Sequence, residues 1–72
     1  MTLRCEIVVE GRLGPRFDGL VDGFERSECE LGRTRLRGSI PDRGALRGVL
    51  DRLDDLGIDL VAVETGPDDD QP

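Results

Sequence analysis

Between Arg33 and Ile40 the chain interleaves cations with small or apolar residues: Arg33, Arg35 and Arg37 alternate with Thr34, Leu36, Gly38 and Ile40. Side chains of a β-strand point to opposite faces in turn. A strand here therefore sends Leu36 and Ile40 toward a core and its arginines to the other side, so the fold must supply a sheet with one covered face and one open, charged face. The segment Leu3 to Glu10 repeats the period, with Leu3, Cys5, Ile7 and Val9 on one side and Arg4, Glu6 and Glu10 among the residues on the other.

The remaining elements follow from turn and cap chemistry. Phe24 to Leu31 reads as a strand joined to the arginine strand around Leu31-Gly32, where Gly32 supplies the positive φ of a tight hairpin. Glu6 and Glu10 on the first strand and Glu28 and Glu30 on the second are then expected to flank the arginine row. Pro15 to Asp22 is predicted to be a short helix closed by Gly23. Pro41 ends the arginine strand, and Asp42 is placed to cap a second helix whose apolar stripe is Leu46, Val49, Leu50, Leu53 and Leu56, with Gly57 as its terminator. Ile58 to Thr65 reads as a last strand. Residues 66–72 carry three aspartates and nothing apolar, and are expected to be a disordered acidic tail after a single domain over 1–65.

The order strand, helix, strand, strand, helix, strand predicts an α+β, ferredoxin-like βαββαβ sandwich. Its four-stranded antiparallel sheet has order 4-1-3-2, with both helices on one face. In that arrangement Cys5 and Cys29 stand two strand spacings apart, about 9 to 10 Å, beyond the roughly 7 Å that a disulfide spans. Two isolated thiols fit a reducing compartment, and the cytoplasm is the expected location, since the N-terminus enters strand pattern with no signal-peptide core and no membrane-length apolar run occurs.

Composition narrows function mainly by exclusion. The net charge of −6 opposes binding to phosphate backbones and anionic lipid, and the two phenylalanines are the only aromatics available to stack a base. With no histidine, tyrosine or tryptophan, and no Cys-x-x-Cys spacing, acid–base and thiol catalysis are poorly equipped. No cofactor motif is present. Asp51, Asp54 and Asp55 share a turn of the second helix, but Arg47 and Arg52 are close enough to neutralise them, so a solvated helix face is expected in place of a metal site.

Several stretches together resemble a family of small uncharacterised bacterial proteins. They are Val9-Glu10-Gly11-Arg12-Leu13, Asp22-Gly23-Phe24, Thr34 through Gly38, Asp42, Ala45-Leu46, Gly48-Val49-Leu50 and Leu56-Gly57-Ile58. Where that family often shows a histidine before the helix glycine, this chain has Arg47. The resemblance implies one domain of the same architecture and brings no activity, substrate or cofactor. A 72-residue chain has a thin core and commonly gains stability from a second subunit. The expected function is a non-catalytic protein-interaction module, a homodimer or small accessory subunit, pairing through an edge strand or the second helix. A second reading is a regulatory domain that takes a small anionic metabolite at a dimer seam. Arg12, Arg16 and Arg47 would receive it, with Arg35 as a further contact candidate.

Overall fold

The computed structural model describes residues 2–14 and 23–68. Its elements are β1 (Leu3–Glu10), β2 (Phe24–Glu28), β3 (Arg33–Ile40), α1 (Arg43–Asp55) and β4 (Leu60–Pro67). The strands form one antiparallel sheet of order β2-β3-β1-β4. Among the described residues a single helix covers it, which corrects the expectation of a ferredoxin-like βαββαβ sandwich with two helices, while the strand order is the expected 4-1-3-2 read from the other edge. The helix predicted over 15–22 lies outside the described residues.

β1 and β3 pair along their whole length, from Leu3 opposite Ile40 to Glu10 opposite Arg33. That register stacks the apolar rows of both strands on the helix side. Cys5, Ile7, Val9, Leu36 and Ile40 are buried there with Leu13, Val49 and Leu53. The helix supplies Val49 and Leu53 from its buried stripe, with Ala45, Leu46 and Leu50 packed at the margin. Its first turn is satisfied by the Asp42 carboxylate, which accepts the Ala45 N–H at 2.9 Å. At its other end Gly57, at φ +74, donates to the Asp54 carbonyl and Ile58 donates to the Leu53 carbonyl. This pair of bonds is a Schellman stop. It leaves Leu56 outside the stripe, half exposed.

Gly38 faces the same side, and what covers it is Phe24. A Cβ on Gly38 would stand 2.8 Å from the Phe24 ring and 2.7 Å from the Gly23 carbonyl oxygen. This contact sets the parity of β2: with Phe24 opposite Gly38, Arg26 and Glu28 lie on the covered side, while Glu25 and Ser27 face outward opposite Arg37 and Arg35. The expected flanking of the arginine row by Glu28 and Glu30 is thereby corrected, since Glu28 pairs with Thr34 and Glu30 belongs to the turn. On the β1 side the expected partners are in place. Arg37 Nε lies 3.0 Å from Glu6, and an Arg33 terminal nitrogen lies 3.3 Å from Glu10. These pairs are substantially solvated, so each contributes at the low end of about 0.2–1 kcal/mol.

One buried polar side chain ties the loop after β1 to the sheet. Thr34 is fully buried; its hydroxyl donates to the Gly11 carbonyl at 2.8 Å and accepts the Leu13 N–H at 3.0 Å. Gly11 takes φ +91 to make the turn, Leu13 drops into the core, and Arg26 holds the Leu13 carbonyl at 3.1 Å. Thr34→Val keeps the shape but strands a buried N–H and weakens the hold on a carbonyl. It is expected to destabilise the fold by about 2 kcal/mol, read as a lower urea midpoint with unchanged slope.

The β2–β3 turn carries strain. Leu31 and Gly32 both adopt positive φ, +63 and +72, and the Arg33 N–H bonds to the Glu30 carbonyl across them. Two such residues form the hairpin turn that favours Asn-Gly. A leucine there is disfavoured by about 1 kcal/mol or more, and at 81% exposure its side chain recovers little by packing. Leu31→Asn is expected to stabilise the chain by about 1 kcal/mol, raising the thermal midpoint by several degrees.

Candidate functional site at the β4 edge

The sheet has two edges of different character. β2 is five residues long, carries Glu25, Arg26 and Glu28, and runs into a tight turn. Short, charged edges resist pairing with other chains. β4 is eight residues long with Glu64 as its one charge, and it begins Leu-Val-Ala-Val. Leu60 and Val61 are 49% and 38% exposed, and Leu56 at the nearby helix end is 50% exposed.

The register explains why these apolar side chains cluster. Val8 pairs with Ala62 and Val9 with Leu60, so the pairing shifts at Val61. Such a bulge places two residues against one. Leu60, opposite buried Val9, and Val61, one step from outward-facing Ala62, both fall on the helix side. Val63, opposite Ile7, joins them there half-buried. The helix packs toward β3, so this end of the covered face has little above it.

The direction of the edge's backbone groups can also be fixed. Glu10 donates its N–H to the Asp59 carbonyl at 2.9 Å. Bonding direction alternates along an antiparallel strand, so Val8, Glu6 and Arg4 likewise bond toward β4. Their partners Ala62, Glu64 and Gly66 bond inward to β1. Val63 and Thr65 consequently turn their N–H and C=O groups to the free edge, and Pro67, which has no N–H, closes it.

The strand also runs further than its sequence indicated. It was expected over Ile58 to Thr65, with a disordered tail from residue 66, yet Gly66 and Pro67 pair with Arg4 and Leu3. Asp68 then accepts from the Thr2 and Ser39 hydroxyls at 3.0 and 2.9 Å.

The arginines singled out in the sequence are not brought together. Arg12 is exposed in the loop after β1, and Arg16 lies outside the described residues. Arg47 is exposed on α1, where Arg43, Leu46, Leu50 and Asp51 join it around a shallow depression of about 410 Å³. Arg35 sits on the opposite, uncovered face of the sheet. Its Nε is shielded from solvent without a hydrogen bond, with Glu6 3.9 Å away as an ion pair too long for one. A larger depression of about 680 Å³ gathers Arg4, Arg37 and Ser39, which sequence reasoning did not pick out, but Glu25 and Asp68 line it too. Acids within the depression offset its attraction for an anion.

Both described thiols are unbridged. Burial pushes the Cys5 thiol up and holds it protonated, so it is a poor nucleophile. Cys29, at the end of β2, is only half-buried. Alkylation of the native chain at pH 8 is expected to modify Cys29 at least about tenfold faster than Cys5, with the two converging in denaturant; mass mapping of the labelled peptides reads this directly. Among the described residues no three side chains of the metal-binding types converge, and no helix is long and apolar enough to cross a membrane.

A family model described as a domain of unknown function (DUF8691) matches residues 4–64. Comparison with curated proteins and with solved structures returns no match.

Proposed function

Because the chain belongs to this family, whose description assigns no activity, we propose from its surface that it is a cytoplasmic protein-interaction module whose binding element is the free edge of β4. The observation that carries the proposal is the contrast between the two sheet edges. β4 offers apolar side chains at Leu60, Val61 and Val63 beside outward backbone groups at Val63 and Thr65, while β2 is short and charged. Extended segments bind to such edges by adding a strand, with main-chain bonds giving affinity and side-chain pockets giving choice.

The metabolite reading has less behind it. Arg35 and Arg47 are on opposite sides of the sheet, and the depression that does collect arginines contains acids as well.

Proline at position 63 removes an outward N–H while leaving the bonds between β1 and its β4 partners Ala62 and Glu64 in place. In affinity capture from a host extract, Val63→Pro is expected to reduce retained polypeptides, further copies of the chain included, by about tenfold or more, with the far-ultraviolet circular dichroism unchanged. Equal capture by the folded variant would refute the β4 assignment.

A further inference from the structure

We infer that the strand added to β4 is β4 of a second copy, related by a two-fold axis at Val63, which joins two sheets into one of eight strands. This rests on the reading of β4 as the binding element and adds the partner and the register. In an antiparallel pair, residues directly opposite lie on the same face. A two-fold between identical strands must therefore lie midway between one residue and its own copy, and four residues are candidates for that place.

An axis at Glu64 sets two carboxylates opposite each other in the close pair type, about 4.5 Å between Cα atoms, where like charges repel. One at Thr65 places Val63 against Pro67, which has no N–H to give. Centring on Ala62 puts Val61, the residue where the β1–β4 register shifts, into both hydrogen-bonded pairs beside the axis, whereas an axis at Val63 keeps its central pair clear of Val61 and leaves that residue to the flanking pairs. The remaining axis, at Val63, lets that residue exchange both outward backbone bonds with its copy. It also sets Thr65 opposite Val61 and Glu64 opposite Ala62. On the helix side it brings Val63 against Val63, flanked by the exposed Val61. The axis consumes both β4 edges and leaves the two short, charged β2 strands at the ends. The assembly therefore closes at two copies and does not propagate, as an isologous contact requires.

Light scattering of the full chain and disulfide trapping test the two parts. Across about 5 to 500 µM the mass is expected to rise from that of the 7.9 kDa chain to twice that value. In a Cys5→Ala, Cys29→Ser background, which removes the cross-strand thiol opposite residue 65, Val63→Cys faces its copy across a hydrogen-bonded pair about 5.5 Å apart, within disulfide reach. Thr65→Cys is separated from its copy by about 13 Å along the strand. Oxidation is therefore expected to link Val63→Cys at least about tenfold faster than Thr65→Cys, a ratio that distance alone sets.

A mass of one chain at every concentration, or equal linking at the two positions, overturns the two-fold at Val63. A single-chain mass with capture that still falls in Val63→Pro removes self-pairing and keeps the edge reading. A single-chain mass with unchanged capture removes both.

Discussion

The inward row of β3 decides most of this structure. Thr34, Leu36, Gly38 and Ile40 lie on one line, and each does something the others cannot. Leu36 and Ile40 are buried in the core, Leu36 opposite Ile7 at its centre and Ile40 opposite Leu3 at its margin. Thr34 spends its one hydroxyl on two backbone groups of the next loop. Gly38, having no side chain, admits the Phe24 ring and so fixes how β2 faces. A shift of this strand by one residue would exchange the row for three arginines, and no neighbouring position could accept them.

That dependence explains what could be read in advance. β1 and β3 have a clean two-residue period, and their bounds follow from it. The helix from Arg43 to Asp55 is framed by a carboxylate at Asp42 and a glycine at Gly57, both local signals. β2 contains a single apolar residue, Phe24, so its own sequence has no period, and its parity comes from a contact with a strand that follows it in the chain. β4 begins with four apolar residues in a row, a pattern that hides both the register shift at Val61 and the face each side chain takes. The run of uncharged residues was visible; the direction of the Val63 and Thr65 backbone groups was not, because it is set by the phase of the ladder with β1. Arg12, Arg35 and Arg47 were chosen for their charge; the two-residue period placed Arg35 on the open face, but charge does not report whether side chains from a loop, a strand and a helix come together.

The turn motif Gly11-Arg12-Leu13 shows how a sequence signature can be structural throughout. Its glycine supplies a positive φ, its leucine is buried, and the leucine's backbone N–H and C=O are both bonded, to Thr34 and Arg26. The glycine and the arginine are exposed, and only the arginine presents a side chain to solvent. The motif therefore depends on Thr34, 21 residues beyond Leu13, a pairing that ties the loop after β1 to β3.

Charge is distributed so as to direct association. The register places Arg4, Arg33, Arg35 and Arg37 on the open face together with Glu6, Glu10, Glu25 and Glu64, four of each sign. That face is neutral in sum, and Arg35 and Arg37 both approach Glu6. Stacking two such faces would desolvate sixteen charges, eight from each, with few apolar side chains in return, a loss that pairing in the interior seldom recovers. The net charge of −6 consequently resides elsewhere, on the helix, the turn and the chain beyond β4. Between the face that resists desolvation and the remaining surface that repels its copy, the β4 edge is the stretch where apolar contact and backbone bonding coincide with a single charge per strand.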